Sequence, residues 1–220
     1  MRIWIICSGE SSESEPLRCT AQEYAAWRAR RLSATAPAEG MRRLAANGRR
    51  LYVSPRGAAH GTAALLVEGA ESESEPLLDE DLPVLDGKGK QKPGRVWRGA
   101  AMRPPLLAGK AARKARKACL ARAEELIDKL ESRGEDCILI SHPRFISVLT
   151  DRLRLRGYCA QRTGFGRVRP FEQMLLSKRD EHCGGCQHNC LLSNPGCSIG
   201  RDKAARQKGS GASPLSGGAI

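Results

Sequence analysis

Cys137-Ile138-Leu139-Ile140 is an unbroken apolar run between the polar Gly134-Glu135-Asp136 and Ser141-His142. A strand with one wet face alternates apolar and polar residues; an unbroken run of this length suits a strand buried on both faces. Such a strand needs helices on either side, and the flanking segments supply them. Ala111 to Ser132 carries Ala115, Ala118, Cys119, Leu126, Ile127 and Leu130 on an apolar stripe, with Gly134 as its stop. Phe145, Ile146, Val148, Leu149 and Leu153 return to helical spacing up to Gly157.

The same strand, loop and helix order recurs upstream. Arg2 to Ile6 reads as a first strand closed by Ser8-Gly9. Thr20 with Glu23 three residues later has the form of a capping box for a helix to about Leu32. Leu51 to Ser54 reads as a second strand and Ala58 to Val67 as a helix of small residues. Tyr158 to Val168 and Phe171 to Ser177 read as closing strands, and Glu68 to Gly109 as a long, mostly irregular excursion. The acidic segments Glu10 to Pro16 and Glu71 to Pro76 read as solvated loops. This recurrence predicts an α/β sandwich around a largely parallel sheet, with loops gathered at the strands' carboxyl ends.

At 220 residues and 40% apolar content the chain suffices for one core and a short appendage. Its formal charge of +13 favours acidic partners, yet aromatics make up only 4% and none interleave with Arg and Lys as in single-strand binders. Nucleic acid is therefore not the expected partner, and a basic adaptor for nucleic acid or a membrane surface rests on net charge alone. No run reaches the roughly 18 apolar residues of a membrane span, and the apolar opening is too short for a signal peptide. A cytoplasmic location is expected, where nine cysteines serve as thiols or metal ligands rather than disulfides.

Four of those cysteines crowd together. Cys183-x2-Cys186-x3-Cys190-x6-Cys197, with His182 and His188 interspersed and Gly184, Gly185, Pro195 and Gly196 as turn residues, lets four soft ligands meet one ion. Zinc is the first expectation and an iron–sulfur cluster the alternative. The expected organisation is one domain over 1–178, a metal-binding segment over 179–203 and a disordered Gly/Ser-rich tail over 204–220.

Three further segments resemble one family. Ile5-Ile6-Cys7-Ser8-Gly9-Glu10-Ser11 is similar to the Arg-His-Gly-Glu loop of the histidine phosphatase (phosphoglycerate mutase-like) superfamily. Ser54-Pro55 to Thr62-Ala63 is similar to its second phosphate-pocket segment, and Ile138-Leu139-Ile140-Ser141-His142 to the strand bearing its second histidine. Leu77-Leu78-Asp79-Glu80 falls where the family often carries an acidic proton donor. The resemblance implies a three-layer α/β/α sandwich and a phosphoryl site in which a histidine attacks phosphorus while arginines hold the oxygens.

By this resemblance the nucleophile position falls on Ser8 and the two arginine positions on Cys7 and Ala58, while His142 and Glu80 survive. Gly9, Ser8 and Arg56 are the expected phosphate-binding groups, Arg56 lying two residues before the second arginine position. A thiolate at Cys7 is disfavoured by the nearby Glu10, Glu13 and Glu15. The expectation is a weak or inactive phosphatase-fold protein that binds a phosphorylated small molecule or phosphoprotein. The alternative is a slow phosphomonoesterase with a rearranged site.

Overall fold

The computed structural model describes residues 1–37, 43–82, 85, 89–101, 110–162 and 169–178. In chain order the elements begin with β1 (Arg2–Cys7), β2 (Arg18–Cys19), α1 (Ala21–Arg31), β3 (Leu44–Ala45), β4 (Arg50–Val53) and α2 (Gly57–Leu66). Next come β5 (Val67–Glu68), β6 (Ser72–Ser74), a 3₁₀ turn (Pro76–Leu78), β7 (Lys92–Pro93), α3 (Gly94–Ala101) and α4 (Lys110–Arg133). The last are β8 (Cys137–Ser141), α5 (Pro143–Leu155), β9 (Tyr158–Arg162) and β10 (Gln173–Lys178).

The apolar run becomes the centre of a six-stranded sheet of order β6-β4-β8-β1-β10-β9. β8 runs parallel to both neighbours, β4 and β1, and β4 runs parallel to β6; β10 and β9 close the other side antiparallel. The fold is thus mixed α/β with a mainly parallel sheet. All five residues of β8 are buried. Because side chains alternate across a strand, Cys137 and Leu139 join Leu126, Ile127 and Leu130 of α4 and Phe145, Ile146 and Leu149 of α5. Ile138 and Ile140 point the other way, onto Ala59, Ala63 and Leu66 of α2. Full burial of each such Ile or Leu is worth about 1.5–3 kcal/mol, so this strand anchors both faces.

Local signals set the helix ends. The Glu23 N–H donates to Thr20 Oγ1 at 3.2 Å and the Thr20 N–H to Glu23 Oε2 at 2.7 Å, the reciprocal pair of a capping box at the start of α1. α4 and α5 stop next to Gly134 and Gly157, at φ values of 67° and 89° that suit glycine. A separate cluster of Cys19, Tyr24, Trp27 and Trp97 fastens α1 to α3, with Trp97 Nε1 donating to the Cys19 carbonyl at 2.7 Å.

The Glu68 to Gly109 stretch departs from the expected irregular excursion. Within it β6 adds an edge strand to the main sheet, pairing Leu51 with Ser72 and Val53 with Ser74, and α3 forms a helix. An edge strand held by backbone pairing needs no apolar alternation, and all three residues of β6 are exposed, so hydrophobic periodicity carries no trace of it. The acidic segment containing β6 is not simply a solvated loop, since Glu75 is buried and ion-paired with Lys129. β9 occupies the first part of the expected Tyr158 to Val168 strand, and 163–168 lies outside the described residues.

α2 starts against the end of α1: the Ala58 N–H donates to the Leu32 carbonyl at 3.1 Å. A Cβ on Gly57 would overlap the Ser33 carbonyl oxygen, a backbone atom with no room to yield. Gly57→Ala is therefore expected to cost about 1–3 kcal/mol. Urea unfolding measures it, and an unchanged midpoint would contradict the close approach.

Candidate functional site

The parallel register brings three chain segments to one level. Cys7 pairs with Ser141 and Val53 with Ile140, so the next residues along, Ser8, His142 and Ser54, leave the sheet together at its carboxyl edge. Two backbone bonds extend the ladder one step, Ser8 N–H to the Ser141 carbonyl at 2.7 Å and Ser54 N–H to the Ile140 carbonyl at 2.9 Å. His142 is the N-cap of α5 and its ring lies between the two serines. Ser8 Oγ is 2.6 Å from Nδ1 and Ser54 Oγ is 3.2 Å from Nε2.

All three side chains are fully buried. Desolvation disfavours the imidazolium and pulls the His142 pKa down from 6.5 to about 4; Asp79 opposes this shift, and Arg56 and Arg28 reinforce it. The neutral ring has one donor and one acceptor nitrogen, so one serine hydroxyl donates to it while the other accepts. Hydroxyl, imidazole and hydroxyl form a satisfied neutral chain.

Gly9 lies beside that chain. Its N–H donates to Thr62 Oγ1 at 3.0 Å, and Thr62 Oγ1 in turn donates to the Ala58 carbonyl at 2.7 Å. Thr35 Oγ1 bonds the same carbonyl at 2.6 Å and lies 3.1 Å from Thr62 Oγ1. The Phe171 ring occupies the space that a Cβ on Gly9 would need. Phe171 reaches it at φ 61°, an uncommon conformation for a bulky residue, with its N–H bonded to the Cys7 carbonyl at 2.8 Å.

The ionic groups form compensated sets around this centre. Arg28 donates to both oxygens of Glu10 at 3.1 Å and to Glu80 at 3.3 Å, and Arg31 pairs with Glu10 at 3.1 Å. Glu80 is buried and also accepts the Arg144 N–H at 3.0 Å, which places its carboxylate at the first turn of α5. Burial raises the Glu80 pKa, while the charges of Arg144 and Arg28 and the backbone bond from Arg144 oppose the rise. Arg56 spends its fork on Asp79, Nε at 2.7 Å from Oδ1 and Nη2 at 3.2 Å from Oδ2, with a further bond to the Glu80 carbonyl at 3.4 Å.

Ser8, Gly9 and His142 thus converge, with Glu80 joined to them through α5 and Arg56 held on the adjacent turn by Asp79. Cys7 and Ala58 are fully buried. The Cys7 thiol is pushed far above its usual range, first by burial and then by Glu80, Glu10 and Glu172, so it stays protonated. Sequence reasoning missed Ser54, Thr62 and Thr35 as individual groups, and also Asp79 and Arg28 as partners. Ser54 was recoverable from strand register, because it stands one residue past β4 as His142 stands one past β8. Cys183, Cys186, Cys190 and Cys197 lie outside the described residues; among those described, no group of three or more His, Cys, Asp and Glu is placed to hold a metal. No described helix is long and apolar enough to cross a membrane.

A scan of protein-family models and a search of curated proteins both give no match.

The depressed His142 pKa makes stability pH-dependent. The unfolded chain takes up a proton near pH 6.5 whereas the folded chain resists until about 4, so acidification across that window favours unfolding. The full loss is about 3 kcal/mol, because each tenfold change in proton affinity is worth about 1.4 kcal/mol. Glu80 works in the opposite sense, since its raised pKa lets the folded state gain from protonation. His142→Gln is expected to abolish the His142 part only. Denaturant midpoints of both proteins across the window check this, and parallel curves would contradict it.

Proposed function

We propose that this chain is a member of the histidine phosphatase (phosphoglycerate mutase-like) superfamily, with that family's three-layer α/β/α arrangement, that has lost phosphoryl transfer and works by binding rather than turnover. The observation that carries the reading is the neutral Ser8–His142–Ser54 chain, fully buried at the carboxyl edge of β1, β4 and β8. The resemblance puts the family's two histidines at Ser8 and His142, and these two side chains are in contact. In-line attack needs a nucleophile with a free lone pair and cations left over to balance the phosphoryl charge. His142 has a hydroxyl at each ring nitrogen, and Arg28, Arg31 and Arg56 are matched by Glu10, Glu80 and Asp79.

A phosphorylated small molecule or phosphoprotein remains the ligand class of this reading. Arg56, with its side chain 31% exposed and its fork on Asp79, is the cation suited to exchanging a carboxylate for a phosphate. The competing reading is a slow phosphomonoesterase. It draws on the 2.6 Å contact between Ser8 Oγ and His142 Nδ1, which has the form of a nucleophile and its base. Full burial of both groups weighs against it.

Treatment of the folded chain with labelled acetyl phosphate and p-nitrophenyl phosphate separates the two. The expected outcome is no covalent phosphate and no turnover above a His142→Gln control. Acid-labile phosphate on His142 or acid-stable phosphate on Ser8 would establish the enzyme reading instead.

The cysteine segment belongs to the same proposal as a metal-stabilised contact module. Cys183, Cys186, Cys190 and Cys197 match a structural zinc site in ligand type and number, with the iron–sulfur cluster as the alternative. Elemental analysis under anaerobic conditions is expected to find about one zinc per chain, lost in Cys186→Ser. Absence of metal from the parent chain would remove the site, and iron with sulfide would replace zinc by a cluster.

A further inference from the structure

The first two turns of α4 carry charge in the wrong sense for their position. Lys110 and Arg113 stand in the first turn, at the positive end of the helix macrodipole, with no acidic residue there to offset them. Lys114, Arg116 and Lys117 follow, all five cations are exposed, and none makes a salt bridge with a described residue. The acids of this helix, Glu124, Glu125, Asp128 and Glu131, lie in its other half. The first two turns also stand clear of the core, because Cys119 is the first residue of α4 packed against it and full burial begins at Ala123. At about 100° per residue, Lys110, Arg113, Lys114 and Lys117 share one side of the helix, roughly opposite Ala123, Leu126 and Leu130.

Among the described residues neither packing nor local electrostatics accounts for five cations in eight residues. Their chemistry selects an anionic partner with repeated charges. Every residue from 110 to 118 that is not Lys or Arg is Ala. A membrane-surface helix needs bulky apolar side chains to bury among acyl chains, and a single-strand binder needs aromatics for bases to stack upon; this face has neither. A regular row of cations without apolar or aromatic anchors suits the phosphate backbone of a duplex, where affinity comes from counterion release.

We propose that the basic face of α4, formed by Lys110, Arg113, Lys114 and Lys117 with Arg116 at its flank, docks the phosphate backbone of duplex nucleic acid without reading its sequence. The proposal is independent of the phosphatase-fold reading and concerns a different part of the molecule.

The test is fluorescence anisotropy of the full chain with a mixed-sequence DNA duplex over a range of salt. One variant changes all five cations to Gln, which keeps good helix propensity. A control removes the same charge elsewhere through Arg18→Gln, Lys90→Gln, Lys92→Gln, Arg95→Gln and Arg169→Gln. The slope of log affinity against log salt is expected to fall by about 0.9 per lost contact, hence by roughly 4 for the four cations on the shared face, and much less in the control. A milder pair, Lys114→Glu with Lys117→Glu, gives the same readout should the fivefold variant fold poorly. Equal losses in variant and control, an unchanged slope in the α4 variants, or no duplex binding by the parent would each overturn the proposal. So would α4-dependent binding to phosphatidylserine vesicles with duplex binding unaffected by the α4 changes.

Discussion

The parallel pairing of β8 with β1 and β4 is the constraint on which the site depends. It aligns Cys7 with Ser141 and Ile140 with Val53, and the residues one step further arrive at the same edge. A one-residue slip of any of these strands would turn its core side chains to the opposite face, so apolar burial also enforces the register of the polar groups beyond it. Ser8, Ser54 and His142 meet because Ile6, Val53 and Ile140 are fully buried where they are.

That geometry has an electrostatic consequence. A buried imidazole with two hydroxyl partners needs no charge, and burial keeps it neutral. The charged groups stand in matched sets: Arg28 and Arg31 with Glu10 and Glu80, and Arg56 with Asp79. Removing Arg28 would leave Glu80 buried without its partner and cost several kcal/mol, of order 3–5, whereas the Arg56–Asp79 pair, about a third exposed, is screened by solvent and holds less tightly. Each guanidinium already has a carboxylate partner, so under the proposed reading a phosphate would have to displace one. The unmatched cations of α4 have no such partner among the described residues, which is why the two parts of the molecule invite different readings.

Much of the fold was legible in the sequence where its causes are local. The capping box at Thr20, the glycines closing α4 and α5 and the uninterrupted run in β8 act within a few residues, and each element lies within a residue or two of its expected bounds. β6 was not legible because a strand at an edge, with its side chains in water, owes its place to β4 alone. The site divides in the same way. Ser8, Gly9, Glu80 and His142 are singled out by a resemblance, and the structure brings Ser8, Gly9 and His142 together, but the Ser54 contact to His142 spans 88 residues of chain and exists only through strand register. Arg28 reads as an ordinary basic residue in the last turn of α1, and only the packed structure turns it toward Glu10 and Glu80. Acidic neighbours already point to a protonated Cys7; the larger cause is burial, which strand alternation alone could have supplied.

The Ser8–His142–Ser54 chain at the carboxyl edge of β1, β4 and β8 is a neutral hydrogen-bonded core. Nitrogen NMR of the folded chain labelled in its histidine rings, at about pH 5.5 between the folded and unfolded pKa values, reads the charge of His142 directly. The account predicts a neutral ring with one protonated and one bare nitrogen. A doubly protonated imidazolium at that pH, in a chain that remains folded, would contradict it.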